Sequence, residues 1–130
     1  DFGLKRAGIA VTDPQQIIVS GLPTVASDQL ISFILRYADQ EPIEALVIGY
    51  PFLEGAWGDP RFKTELDQFI AKLRKSFPSI PVHLQDERFT SMRAKEVILN
   101  SGRKKHQRRD KQLLNQKSAE IILQEYLGHI

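Results

Sequence analysis

Ala45-Leu46-Val47-Ile48-Gly49-Tyr50-Pro51 is a short, continuous apolar run closed by a glycine. It shows no alternation of apolar and polar residues, so it predicts a strand buried on both faces, as in a sheet covered by helices. On its N-terminal side, Leu30, Ile31, Ile34, Leu35 and Ala38 recur at helical spacing. They predict a helix over residues 28–39, with Ser27 as its N-cap and Pro42 as its stop. On the C-terminal side, Asp59-Pro60 opens a second helix, with Asp59 as N-cap and Pro60 at the first helical position. Phe62, Leu66, Phe69, Ile70, Leu73 and Phe77 form its buried stripe. Residues 81–85 then supply another strand. Helices alternating with short apolar strands indicate an α/β fold.

Further out, residues 7–11 predict a strand, Asp13-Pro14 a turn, and residues 17–19 a second strand ended by Gly21 and Pro23. Together they suggest an antiparallel meander. Asp1-Phe2-Gly3 reads as the end of a still earlier strand, so a central first strand truncated at the N-terminus is expected. After residue 85, Ser91 is expected to cap a third helix ending near Gly102, and a last helix covers about residues 111–127. The order β-β-β-α-β-α-β-α-α predicts one domain over residues 1–130. Its sheet would be mixed and five-stranded, antiparallel first and parallel afterwards, with helices on both faces.

The composition narrows the function classes. The 130 residues contain no cysteine, which excludes a disulfide framework, a thiolate zinc site and a cysteine nucleophile. No apolar run approaches the ~20 residues of a membrane span, so a cytoplasmic, membrane-free protein is expected. Lys and Arg total 18 against 16 Asp and Glu, but the charge is unevenly spread. Residues 103–111 hold six of the cations (Arg103, Lys104, Lys105, Arg108, Arg109 and Lys111) and one acid, leaving a net of −3 elsewhere. Such local basicity suits phosphate contact, and it would equally serve as a solvated loop.

Binding sites in α/β sheets gather at the carboxyl ends of parallel strands. Three polar positions fall there: Asp1 at the end of the first strand, Asp86 and Glu87 at the end of the last, and Asn115 in the first turn of the final helix. Converging carboxylates would hold Mg²⁺ or Mn²⁺, hard ions that prefer oxygen, and would suit phosphodiester hydrolysis. Strand-end acids also serve as ordinary caps and ion-pair partners. The three histidines fit no zinc spacing, and there is no Ser-His-Asp pattern, P-loop or dinucleotide fingerprint.

Four motifs spread over the chain resemble those of the YqgF/RuvX family. Asp1-Phe2-Gly3-Leu4-Lys5-Arg6-Ala7-Gly8-Ile9-Ala10 is similar to its opening D-[FY]-G-x-K-R-x-G-x-A, and Val47-Ile48-Gly49-Tyr50-Pro51 to its VGYP segment. Asp86-Glu87-Arg88-Phe89-Thr90-Ser91 resembles its DERxTS motif, and residues 118–127 its closing SAxxILQxYL. The resemblance implies an RNase H-like fold related to the junction resolvase RuvC. Members are described as nucleases of pre-16S rRNA and, in older naming, as Holliday junction resolvases.

Carried over by position, Asp1 matches the first catalytic acid and Glu87 the second. The third is usually the Asp of a V-D-x-x-[SA]-A run, and Asn115 stands there in this chain. An amide can donate a carbonyl oxygen but no charge, so metal affinity should fall. Asp110 and Glu120 each lie five residues from Asn115, about 140° around the helix from it, so neither substitutes. The substrate expected is structured RNA, a pre-rRNA, or alternatively branched DNA, cut by a monomer or weak dimer. A third reading is a nucleic-acid-binding module with weak or lost catalysis. Lys5, Arg6, Arg88 and the basic run are the candidate phosphate contacts, although Arg88 could instead pair with Asp86. Thr90 and Ser91 are expected as helix caps. Phe52 and Trp57 could stack on unpaired bases or fold back on the core, the latter expected for Trp57.

Overall fold

The computed structural model describes residues 1–52, 58–87 and 111–130. It contains β1 (Arg6–Thr12), β2 (Val19–Ala26), a 3₁₀ turn (Ser27–Gln29), α1 (Leu30–Gln40), β3 (Leu46–Tyr50), α2 (Pro60–Ser76), β4 (Val82–Asp86) and α3 (Lys111–Leu127). The α/β class agrees with the sequence reading. The helix expected after Ser91 lies outside the described residues, as do Trp57 and Thr90. Among the described residues no helix is long and apolar enough to cross a membrane.

Among the described residues the strands form two ladders of two, and the expected single sheet of five is not seen. β1 pairs antiparallel with β2, and β3 pairs parallel with β4, with Leu46 opposite Val82 and Tyr50 opposite Asp86. The β3–α2–β4 unit is the crossover that a parallel pair requires. Between β1 and β3 lies a cleft of about 770 Å³, walled by both strands and by apolar side chains of all three helices. α3 packs across both ladders, most extensively on β1 and β2.

Two local readings need correction. The second strand starts two residues later than expected and runs through Gly21 and Pro23 instead of ending at them. Ile9 faces Leu22 and Ala7 faces Val25, so Pro23 and Thr24 together oppose Gly8 in a bulge. A bulge asks no ladder hydrogen from proline, which is why Pro23 does not end the strand. At Gly21 the Gln116 and Glu120 side chains of α3 lie 2.5 Å from where a Cβ would stand, so a larger residue would make them shift. The second correction concerns Ser27, which does not cap α1. Its hydroxyl donates to the Gly3 carbonyl at 2.6 Å and its amide to the Lys5 carbonyl at 2.9 Å, tying the opening segment to the end of β2.

The core forms where α1 and α2 meet the strands. Leu66 and Leu73 are fully buried, and Ala7, Leu30, Ile48, Phe69, Ile70 and Phe77 join them. Burying one such large side chain contributes about 1.5–3 kcal/mol. The α2 stripe therefore behaves as its spacing predicts. Leu35 departs from the α1 stripe and stays largely exposed, because it lies at the stripe's margin. Phe2 stacks on Phe69 with centroids 4.9 Å apart, so the opening segment is fastened to α2.

Asp59 caps α2 as expected, accepting from the Arg61 amide at 2.9 Å and pairing with its guanidinium. The Arg61 side chain, and then its amide, hold the Asp59 carboxyl down at about 2, against an ordinary value of 3.8. A depressed pKa means that the stabilisation is complete above the unfolded value and is lost as pH falls through the folded one. Asp59→Ala should therefore lower the melting temperature by a constant amount between about pH 5 and 8. That difference should shrink as the pH is lowered from about 4 towards 2, which thermal melts across this range would measure.

Candidate active site

The carboxyl ends of β3 and β4 lie side by side. Tyr50 and Asp86 are register partners, and the Glu87 amide donates to the Tyr50 carbonyl at 3.3 Å, carrying the ladder one residue further. Glu87 is half-buried there, and its side chain covers Gly49: a Cβ on that glycine would sit 2.8 Å from Glu87 Oε2 and 2.6 Å from Ile122 Cδ1. Burial pushes the Glu87 carboxyl above its usual range, and Asp86 adds a further upward push.

Asp1 reaches the same place by a different route. Its amino group donates to the Gly8 carbonyl at 2.9 Å and its carbonyl accepts from the Gly8 amide at 2.9 Å. This reciprocal exchange is the pairing of directly opposed residues in an antiparallel ladder. Gly8 also receives α3: a Cβ there would overlap the Asn115 carbonyl. The segments bearing Asp1, Glu87 and Asn115 thus meet around two glycines, Gly8 and Gly49. Among the described residues no three His, Cys, Asp or Glu side chains are grouped so that they could hold a metal ion.

The candidate phosphate contacts are placed unevenly. Lys5 and Arg6 are exposed where β1 begins, and Arg6 donates to Thr24 Oγ1 at 3.4 Å across the ladder. Arg88, Arg103, Lys104, Lys105, Arg108 and Arg109 lie outside the described residues, and Lys111 opens α3.

The sequence pattern of the RuvX family, described as Holliday junction resolvase, matches residues 1–129. The chain belongs to that family. A protein of Phocaeicola vulgatus is 45% identical over 127 residues, covering 98% of this chain and 91% of the relative. One of Porphyromonas gingivalis is 46% identical over 129 residues, covering 99% and 93%, and one of Flavobacterium psychrophilum 43% over 128 residues, covering 98% and 92%. All three are named "Putative pre-16S rRNA nuclease".

In this RuvX-family chain the two glycines are the residues that a search for chemical groups passes over. A glycine inside a strand marks close approach of another backbone, and that signal was present in both motifs. Their substitution should differ in cost. At Gly8 the obstacle is helix backbone, which no rotamer change relieves, so Gly8→Ala should cost about 3 kcal/mol or more. At Gly49 the obstacles are side-chain ends that can move, so Gly49→Ala should cost about 1 kcal/mol. Urea midpoints of the two variants would give this order. Equal midpoints would contradict the backbone contact.

Proposed function

We propose that this chain is a metal-dependent endonuclease that hydrolyses phosphodiester bonds of structured RNA, at the 5′ end of pre-16S rRNA in the cytoplasm. The observation that carries this reading is the meeting of the Asp1, Glu87 and Asn115 segments at the strand ends. Relatives at 43–46% identity named as nucleases of pre-16S rRNA supply the substrate. The donors are all oxygens, which suits Mg²⁺ or Mn²⁺. Asp1 and Glu87 would hold the ion by charge, and Asn115 would add a neutral carbonyl oxygen. A bound ion supplies the Lewis acidity that phosphodiester hydrolysis needs. Glu87 contributes a partly desolvated carboxylate, whose attraction for a cation is stronger than it would be in water.

Lys5, Arg6, Arg88 and the run from residue 103 to 111 would contact backbone phosphates, positioning the strand without reading bases. One copy of the chain suffices for a single cut. Cutting a four-way DNA junction, as the family description suggests, would require two copies acting symmetrically. Asn115 favours a further reading, a nucleic-acid-binding module with little catalysis.

We further infer that residues 1–130 form one RNase H-like domain with a single five-stranded sheet. The segment at Asp1 would supply the fifth strand, antiparallel to β1 on its cleft side. The Asp1–Gly8 exchange and the cleft's strand-lined walls support this.

Cleavage of a pre-rRNA leader and of a four-way junction, side by side with Mg²⁺ and Mn²⁺, tests the activity. Preferential cutting of the leader is expected, and cutting of the junction alone would overturn the RNA assignment. Glu87→Gln should abolish cleavage, while Asn115→Asp should raise it and lower the metal concentration required. If neither the native chain nor Asn115→Asp cuts while both bind RNA, the binding-module reading stands. Serine at Arg103, Lys104, Arg108 and Arg109 should flatten the salt dependence of binding by roughly one log–log unit per lost duplex contact. For the sheet, slow hydrogen exchange is expected at the Gly8 amide, which donates to the Asp1 carbonyl, and solvent-like exchange there would refute the fifth strand.

A further inference from the structure

At the carboxyl end of β3, Tyr50 and Phe52 form an aromatic pair, with centroids 4.8 Å apart and ring planes inclined by 48°. The two rings are held very differently. The Tyr50 phenol donates to Asp67 Oδ1 of α2 at 2.9 Å, and Lys63 Nζ holds the other carboxylate oxygen at 3.2 Å. Burial, and then the Asp67 contact, raise the phenol's pKa, so it remains a neutral donor at physiological pH. The Tyr50 ring is thus locked to the helix behind it. Pro51 between the two aromatics is buried, and the Phe52 amide donates to the Tyr50 carbonyl at 3.0 Å. Phe52 therefore has a rigid mount, yet its side of the pair is turned to solvent, at 55% exposure.

Position gives this exposure its meaning. The Tyr50 carbonyl that accepts from Phe52 also accepts from the Glu87 amide, and Tyr50 faces Asp86 in the ladder. An open aromatic face thus lies within two residues of the backbone that holds Glu87. A phosphodiester presented to Glu87 would bring its neighbouring nucleotide over that face. We propose that Phe52, seated on Tyr50, is a stacking platform for an unpaired nucleobase beside the bond to be cut.

This rests on the nuclease reading above and adds a substrate preference to it. Base–aromatic stacking tolerates any base, because every base has a π-face. Within a duplex those faces are already covered by neighbouring pairs, so the platform selects unpaired nucleotides. Phe52 is the binding residue, and Tyr50 is a positioning residue that acts through it.

The test compares binding of a single-stranded RNA of about 12 nucleotides with a duplex of the same length, in EDTA so that nothing is cleaved. Phe52→Leu keeps an apolar side chain but removes the π-face, and Phe52→Trp keeps the π-face. Phe52→Leu should weaken single-strand binding by about 5- to 100-fold and leave duplex binding unchanged. Phe52→Trp should restore the native affinity, and Tyr50→Phe should show a smaller loss than Phe52→Leu. A 2-aminopurine placed in the single strand should be quenched by the native protein and not by Phe52→Leu. Native single-strand affinity and quenching in Phe52→Leu would overturn the platform alone, while leader cleavage by the same variant leaves the nuclease reading intact. If the native protein binds neither RNA, the platform and the nuclease reading fall together.

Discussion

The architecture depends on how closely α3 can lie against strands that do not bond to one another. The β1–β2 and β3–β4 ladders share no hydrogen-bonded pair among the described residues, and α3 is packed on all four strands. Its approach is closest where the strands carry no side chain. Gly8 admits the Asn115 carbonyl, Gly21 the side chains of Gln116 and Glu120, and Gly49 the tip of Ile122. Helix and strand backbones at Gly8 are nearer than any Cβ would permit. The cost is borne by the strands, since glycine weakens a strand interior and orders at greater entropic expense than other residues.

The same close approach sets the electrostatics of the candidate site. Glu87 lies over Gly49, where burial partly desolvates its carboxylate and Asp86 raises its proton affinity further. Left without a cation, such a group is destabilising, because burial disfavours the charged form. Asp1 is delivered to the site by backbone bonds to Gly8 and by the packing of Phe2 on Phe69. Position there is therefore controlled by packing at some distance from the acids. Asn115 meets Gly8 through its main-chain carbonyl, a contact that does not depend on the chemistry of its side chain.

The apolar core stands behind this arrangement as its support. α2 contributes Leu66, Phe69, Ile70, Leu73 and Phe77 to the interior, and it also carries Asp67, which fixes Tyr50 at the mouth of the site. One helix thus couples the core to the end of β3. Lys63 and Asp67, four residues apart on its exposed side, pair in the spacing that a helix favours.

Much of this was determined by sequence alone. The apolar run at residues 45–48, the Asp59-Pro60 start of α2 and its buried stripe are local patterns, and local patterns follow from helix and strand periodicity and from the stereochemistry of caps. Asp86 at the end of β4 was legible for the same reason, since the end of a strand is a local property. Tertiary structure decided what depends on distant partners. Ser27 bonds to Gly3 rather than capping its helix, and Pro23 sits within a strand because the Gly8 bulge asks no hydrogen bond of it. Gly8 and Gly49 acquire their importance only from α3 and Glu87, more than 35 residues away in sequence. Phe52 packs on Tyr50, whose phenol is held by Asp67, a contact that no periodicity encodes. Spacing along a chain specifies which face a residue occupies; what meets that face is settled only when the other elements pack against it.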